Sequence, residues 1–310
     1  MSNQANRLFY KHAPIKTMET LAEMLNLTVP QLGKLAANAH RMYRPGPHQL
    51  KSDGTPRETW DAQPQLKGVQ EILKVRLLQR VQFPLFLQGS IRDKENPRDY
   101  VRNAAFHTQK GCVVTLDIAN FFPSVTAECI KDVWLNFFRF DNTVADILTA
   151  LTTKDGYLPQ GAKTSSYLAN LVFWRSEHEL VEHLGRSGWT YSRLVDDVTI
   201  SITRKPSKAE LTKVNKTVIG YLQRHGYSIK RSKHEIFHQN RPMMVNNLIV
   251  NDRTALPENK RHKIRAQVHT LNQQIAAGEV PNLKFVRSTE GKIAMLRRFH
   301  PENSNRILGE

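Results

Sequence analysis

Trp189-Thr190-Tyr191-Ser192-Arg193-Leu194-Val195-Asp196-Asp197-Val198-Thr199-Ile200-Ser201-Ile202 contains two strand-like runs on either side of an acidic pair. Val198, Ile200 and Ile202 alternate with polar residues, the period of a half-buried strand. Asp196 and Asp197 are therefore expected at the tip of a hairpin. There both carboxylates can reach one pocket, although strand neighbours ordinarily point to opposite faces. Adjacent acids in a turn are ordinarily solvated loop residues. Here strands flank them on both sides, which makes a plain surface turn less comfortable.

A second short β-branched run, Cys112-Val113-Val114-Thr115-Leu116, ends at Asp117. If this strand neighbours the hairpin, three carboxylates converge and repel one another unless cations neutralise them. Hard cations with oxygen ligands, Mg²⁺ above all, suit such a group. Two such ions can activate a hydroxyl nucleophile and stabilise a leaving pyrophosphate.

Outward from this centre the pattern is mixed. Helical spacing is present around Leu21, Met24 and Leu25, around Leu32, Leu35 and Ala36, and over Leu66–Phe86. Ser52-Asp53-Gly54-Thr55-Pro56 is a turn signal expected to join two short strands. Helices are expected at 126–139 and 142–153. One long helix is expected after Gly161, with Leu168, Leu171, Val172, Leu180 and Leu184 on its apolar side. Ser207-Lys208-Ala209-Glu210 is a capping box that opens a helix stopped by Gly226. Short strands are expected near 227–237 and 244–250, then a helix from Pro257 to Gly278. Without strict βα alternation, this predicts an α+β fold with helices on one face of the sheet, followed by a small basic helical unit.

Among 310 residues, 40% are apolar and 8% aromatic, enough for a real core. The formal net charge is +17, more than solubility requires, and it points to a polyanionic partner. From Arg204 onward there are 21 Lys and Arg against 8 Asp and Glu, a net of +13, so the last third is the expected phosphate-gripping surface. Cys112 and Cys129 are too few for a disulfide framework or a cysteine zinc site and fit a reducing compartment. No apolar run reaches the ~20 residues of a membrane span. A cytoplasmic protein without a membrane partner is expected.

Three ordered segments resemble the motifs of bacterial reverse transcriptases. Thr115-Leu116-Asp117-Ile118-Ala119-Asn120-Phe121-Phe122 is similar to motif A. Leu158-Pro159-Gln160-Gly161-Ala162-Lys163-Thr164-Ser165-Ser166 is similar to motif B, and Tyr191 to Asp197 to motif C. Asn103-Ala104-Ala105-Phe106-His107 matches the NAxxH element of the retron group. Two departures stand out. Leu194 replaces the usual Tyr of Y-x-D-D, and Val245-Asn246-Asn247 replaces the retron VTG element.

The resemblance implies a right-hand polymerase with fingers, a palm built on an antiparallel sheet, and a helical thumb. Its expected bounds are an N-terminal helical segment 1–40, part of the fingers 41–110, a palm with inserted fingers helices 111–255 and a basic thumb 256–310. Asp117, Asp196 and Asp197 would be catalytic and, with the backbone carbonyl of Ile118, would hold two Mg²⁺ ions. Lys51, Arg57, Ala119, Phe122, Gln160, Gly161 and Lys233 would bind the dNTP. Phe122 would exclude a 2′-hydroxyl, and Lys233 would act as general acid. Asn103, His107, Asn246, Asn247, Lys260, Arg261, Arg265, Arg297 and Arg298 would contact nucleic acid. For Asn103 and His107 a structural brace is the equal alternative. For the loop and helix cations, a solvated face is the alternative.

The implied activity is RNA-directed DNA synthesis. A cognate structured non-coding RNA would be copied from a 2′-hydroxyl primer into branched single-stranded DNA, with a separate effector protein and a role in antiphage defence. The rivals are a reverse transcriptase of a group II intron or diversity-generating element, and a non-catalytic RNA-binding scaffold. Clustered unpaired acids would bring a scaffold no benefit.

Overall fold

The computed structural model describes residues 6–47, 50 and 54–301. Thr17 and Thr28 cap the first two helices, α1 (Met18–Met24) and α2 (Val29–Asn38), the second through a capping box with Gln31. A two-stranded ribbon of β1 (Tyr43–Pro45) and β2 (Trp60–Ala62) follows, then α3 (Pro64–Arg76). The helix expected to run to Phe86 ends here and is followed by a short 3₁₀ turn, Leu78–Arg80. Beyond it Gln82 exchanges both backbone hydrogen bonds with Phe9, and Pro84 has no N–H to continue a helix.

Next come α4 (Tyr100–Ala105), β3 (Cys112–Asp117), α5 (Phe121–Ser124) and α6 (Ala127–Asp132), which a π turn extends through Val133–Phe137 before α7 (Asn142–Thr152). The long helix expected after Gly161 is two helices, α8 (Ser165–Leu171) and α9 (Glu177–Arg186). Between them Asp132 takes hydrogen bonds from Trp174 Nε1 at 3.1 Å and the Arg175 guanidinium at 2.6 Å. These contacts bend the chain away from one continuous axis and start α9 at Glu177.

The hairpin strands β4 (Thr190–Leu194) and β5 (Asp197–Ile202) precede α10 (Lys208–Arg224), which the expected Ser207–Glu210 box caps. Then come β6 (Glu235–His238), the hairpin of β7 (Met244–Val245) and β8 (Leu248–Ile249), and the paired helices α11 (Glu258–Ala276) and α12 (Leu283–Phe299). The region near 227–237 holds one strand and a 3₁₀ turn rather than continuous strand.

The central sheet has the order β4-β5-β3-β6 and is antiparallel throughout. Its register sorts the side chains. Cys112, Val114 and Leu116 oppose Ile202, Ile200 and Val198 on an apolar face that joins the large helical core. Thr115 and Asp117 oppose Thr199 and Asp197 on the other face. A second core links Met243, Val245 and Leu248 to Ile264, Val268, Leu296 and Phe299, so the C-terminal helices are seated on the β7–β8 hairpin. No helix among the described residues is long and apolar enough to cross a membrane.

Candidate active site

Asp117 and Asp197 are cross-strand partners, and Asp196 occupies the turn beside them. The Ile118 amide donates to the Asp196 carbonyl at 3.0 Å, which ties the turn to the end of β3. Convergence of the three acids therefore follows from register. Asp117 is 7% exposed. Burial, then the charges of Asp196 and Asp117, push the Asp197 carboxyl up to about 7. Asp196 is also raised, by burial and by Asp117, while Lys233 and Arg57 pull it back.

Lys233 Nζ donates to Asp117 Oδ2 at 2.5 Å. Burial works against the ammonium, but the three aspartates raise its pKa overall. This contact takes one oxygen of Asp117, and the described residues contain no ready-made cluster of three His, Cys, Asp or Glu shaped for a metal ion. The donor chemistry still fits hard divalent cations. The three carboxylates supply only oxygen, and their mutual repulsion leaves a demand for positive charge that one lysine does not meet.

The cleft in front of Asp117 and Asp196 is lined by Arg57, Ile118, Phe122, Gln160 and Lys233. Phe122 is 8% exposed and meets Phe121 edge-on. Ala119 donates its amide to the Ser228 carbonyl at 2.8 Å, and its small side chain is half-buried and is not among the residues that line the cleft. Gln160 accepts from the Trp60 amide at 2.7 Å, so β2 is bound to the motif-B segment. Gly161 sits at φ +107°, and a Cβ there would lie 2.8 Å from the Trp60 carbonyl oxygen. The helix expected after Gly161 begins only at Ser165, and the intervening residues turn. Lys51 lies outside the described residues.

Asn103 and His107 are wholly buried. His107 lies between Ser201 Oγ at Nδ1 and Ser192 Oγ at Nε2, both at 2.7 Å. Burial pushes its pKa down to about 3, with Lys110 adding to the effect. This geometry is the brace, not the nucleic-acid contact, and it staples β4 to β5. Asn103 Nδ2 donates to Asn246 Oδ1 at 2.6 Å. Asn246 and Asn247 form the β7–β8 turn at φ 49° and 61°, conformations that Asn tolerates better than most residues. Both also line a cleft on the other side of Asp117 and Asp197.

Among the basic helix residues, Arg298 is held by Asp99 at 3.0 Å, an ion pair that fastens α12 to the N-cap of α4. Arg297 is exposed, and Lys260, Arg261 and Arg265 are half-buried. Arg298 was expected to contact nucleic acid, and here its guanidinium is shared with Asp99 while remaining about half exposed.

Sequence reasoning missed Arg193 and Glu177. Arg193 occupies the apolar face of β4, opposite Val198, and is 0% exposed. A charged residue in step with Tyr191 on a buried stripe was the available signal, because such a charge must have a buried partner.

An antiparallel sheet thus gathers three carboxylates at the mouth of a cleft that also holds Arg57, Lys230 and Lys233, an arrangement suited to binding divalent cations and phosphate together. The chain belongs to the reverse transcriptase family: the family model described as reverse transcriptase (RNA-dependent DNA polymerase) matches residues 50–271. Within that family it is similar to the Retron Se72 reverse transcriptase of Salmonella heidelberg, 34% identical over 233 residues, covering 75% of this chain and 60% of that protein. It is also similar to the Retron Ec48 reverse transcriptase of Escherichia coli, 31% identical over 269 residues, covering 84% of this chain and 65% of that protein. The retron-type resemblance seen in the motifs is thus upheld, although the chain spans less than two thirds of the length of either relative.

Proposed function

We propose that this protein is an RNA-directed DNA polymerase that copies a structured non-coding RNA into single-stranded DNA, in the manner of a retron. The observation that carries the reading is the cross-strand pairing of Asp117 with Asp197, with Asp196 beside them, at a cleft that also holds Arg57 and Lys233. In this reading 111–255, with β3 to β6 at its core, is a palm with inserted fingers helices, 41–110 is part of the fingers after an N-terminal helical segment, and α11 and α12 form the thumb.

Asp117, Asp196, Asp197 and the Ile118 carbonyl would hold two Mg²⁺ ions. When bound, such ions would activate the attacking hydroxyl and stabilise the departing pyrophosphate. The chain's own groups then divide the remaining work. Arg57 offers a planar fork for phosphate oxygens, and Lys233 a proton for the leaving group. Phe122 forms a floor against which a deoxyribose packs and a 2′-hydroxyl clashes. Gln160 and Gly161, locked to Trp60, shape the side where the template base would lie.

The retron resemblance extends the proposal to self-priming from a 2′-hydroxyl of the cognate RNA, a branched RNA–DNA product, and antiphage defence with a separate effector protein in the cytoplasm. Primer extension with the co-expressed RNA, Mg²⁺ and labelled dNTPs tests the core of it. Wild-type protein should make DNA, and the Asp196→Asn, Asp197→Asn double variant should make none. A wild-type chain that makes no DNA sinks the polymerase reading, and a fully active double variant sinks the assignment of the acids.

A further inference from the structure

Behind the acidic turn, on the apolar face of the sheet, lies a buried polar network that the chemistry above does not use. Arg193 and Glu177 are 0% and 1% exposed. The guanidinium grips the carboxylate with two bonds, Nε to Oε1 at 2.6 Å and Nη2 to Oε2 at 2.7 Å. Tyr191 Oη donates to the same Oε1 at 2.8 Å. With its plane fixed in this way, Arg193 directs Nη1 at the Val195 carbonyl, 2.8 Å away, while Nη2 also reaches the Asn170 carbonyl at 3.3 Å.

The Val195 carbonyl belongs to the peptide that carries the Asp196 amide. Val195 stands at φ 61°, a conformation that β-branched residues avoid and that persists only when its surroundings impose it. A second arm bears on the same residue. Asn170 Nδ2 donates to the Gly89 carbonyl at 2.7 Å, and Gly89 lies so close to Val195 that an added Cβ would come within 2.4 Å of its Cγ2. A buried ion pair is seldom the most stable filling for a core, so its presence here calls for a reason other than stability.

We propose that Arg193, oriented by Glu177, is a positioning residue for Asp196: it holds the Val195 carbonyl and thereby fixes the left-handed turn that sets Asp196 beside Asp117. Lys cannot replace it, because a single ammonium cannot hold two carboxylate oxygens and a carbonyl in one plane. The role rests on the polymerase reading for its catalytic consequence, but its structural half stands without it.

The full-length chain tests both halves. Arg193→Lys keeps a positive charge opposite Glu177 and frees the turn. We expect kcat for primer extension on an RNA template to fall about tenfold to a hundredfold, with the dNTP KM changed less than about threefold. Amide hydrogen exchange in a peptide spanning 194–198 should quicken, while exchange over 112–116 stays as in wild type. A triple variant, Arg193→Met with Glu177→Met and Tyr191→Phe, removes the network without leaving a lone buried charge. We expect it to fold and to share the low kcat. A folded triple variant with wild-type kcat, or wild-type exchange at 194–198 in Arg193→Lys, overturns the positioning role. The exchange measurement needs no catalysis, so it decides this point separately from the activity of the wild-type chain, whose absence would overturn the polymerase reading alone.

Discussion

The aspartates of the site act on one another across and along the chain, Asp117 opposite Asp197 and Asp196 next to it. Asp197 is pushed up to about 7 because burial and two nearby carboxylates oppose its charge. Lys233 answers only part of that, through Asp117. Asp117→Asn should lower primer extension about a hundredfold or more, because it removes one of the three carboxylates proposed to hold the metal ions. Steady-state kcat on an RNA template checks this. Phe122 lines the cleft beside Asp117 and meets Phe121 edge-on, so its truncation opens space at the cleft. Phe122→Ala should raise the ratio of rNTP to dNTP kcat/KM by about tenfold or more. An unchanged ratio would remove Phe122 from the role of sugar gate.

At the scale of elements, the hairpin of β4 and β5 is braced on both faces. Arg193 holds it from the apolar face, and His107 pins Ser192 to Ser201 on the other. The fold keeps His107 neutral, with its pKa pushed down to about 3 by burial and by Lys110. The unfolded chain takes up a proton below about pH 6.5. The stability that His107 contributes is thus present above pH 6.5 and is lost as pH falls from there toward 3, by about 2 kcal/mol between pH 6.5 and pH 5. Urea unfolding across that range checks the slope, which His107→Gln should flatten. Gly89 is the tight point of the same hairpin, because an added Cβ would lie 2.8 Å from the Val195 amide nitrogen. Gly89→Ala should cost about 1–3 kcal/mol in urea unfolding and should displace the acidic turn, so that kcat falls as well.

For the molecule as a whole, charge and architecture divide the work. The last third carries most of the +17, and it forms helices whose apolar sides close a second core on the β7–β8 hairpin. Arg298 is committed to Asp99 and fastens α12 to α4. Arg297, exposed one residue earlier, has no such commitment among the ion pairs of the described residues and is the better candidate for a phosphate contact. The affinity for an RNA–DNA duplex should fall linearly with the logarithm of salt concentration. Arg297→Ala should reduce that slope by about one, whereas Arg298→Ala should act mainly by loosening α12. Fluorescence titration at several salt concentrations separates the two.

The local sequence determined much of this. Alternation over Val198–Ile202, the short run before Asp117, the Ser207 capping box and the basic C-terminal third each came from nearest-neighbour physics. The α+β class followed from them, and the three ordered motifs carried the family. Tertiary structure alone decided the rest. Helical periodicity could not show that Asp132 would draw Trp174 and Arg175 aside and split one helix into α8 and α9, because the partner lies some forty residues away. The sequence left Asn103 and His107 open between a nucleic-acid contact and a brace, and only packing showed that both side chains are interior. The acids were legible because register brings strand ends together. The brace behind them was not, because a buried Arg–Glu pair is made by two elements whose meeting no local pattern encodes.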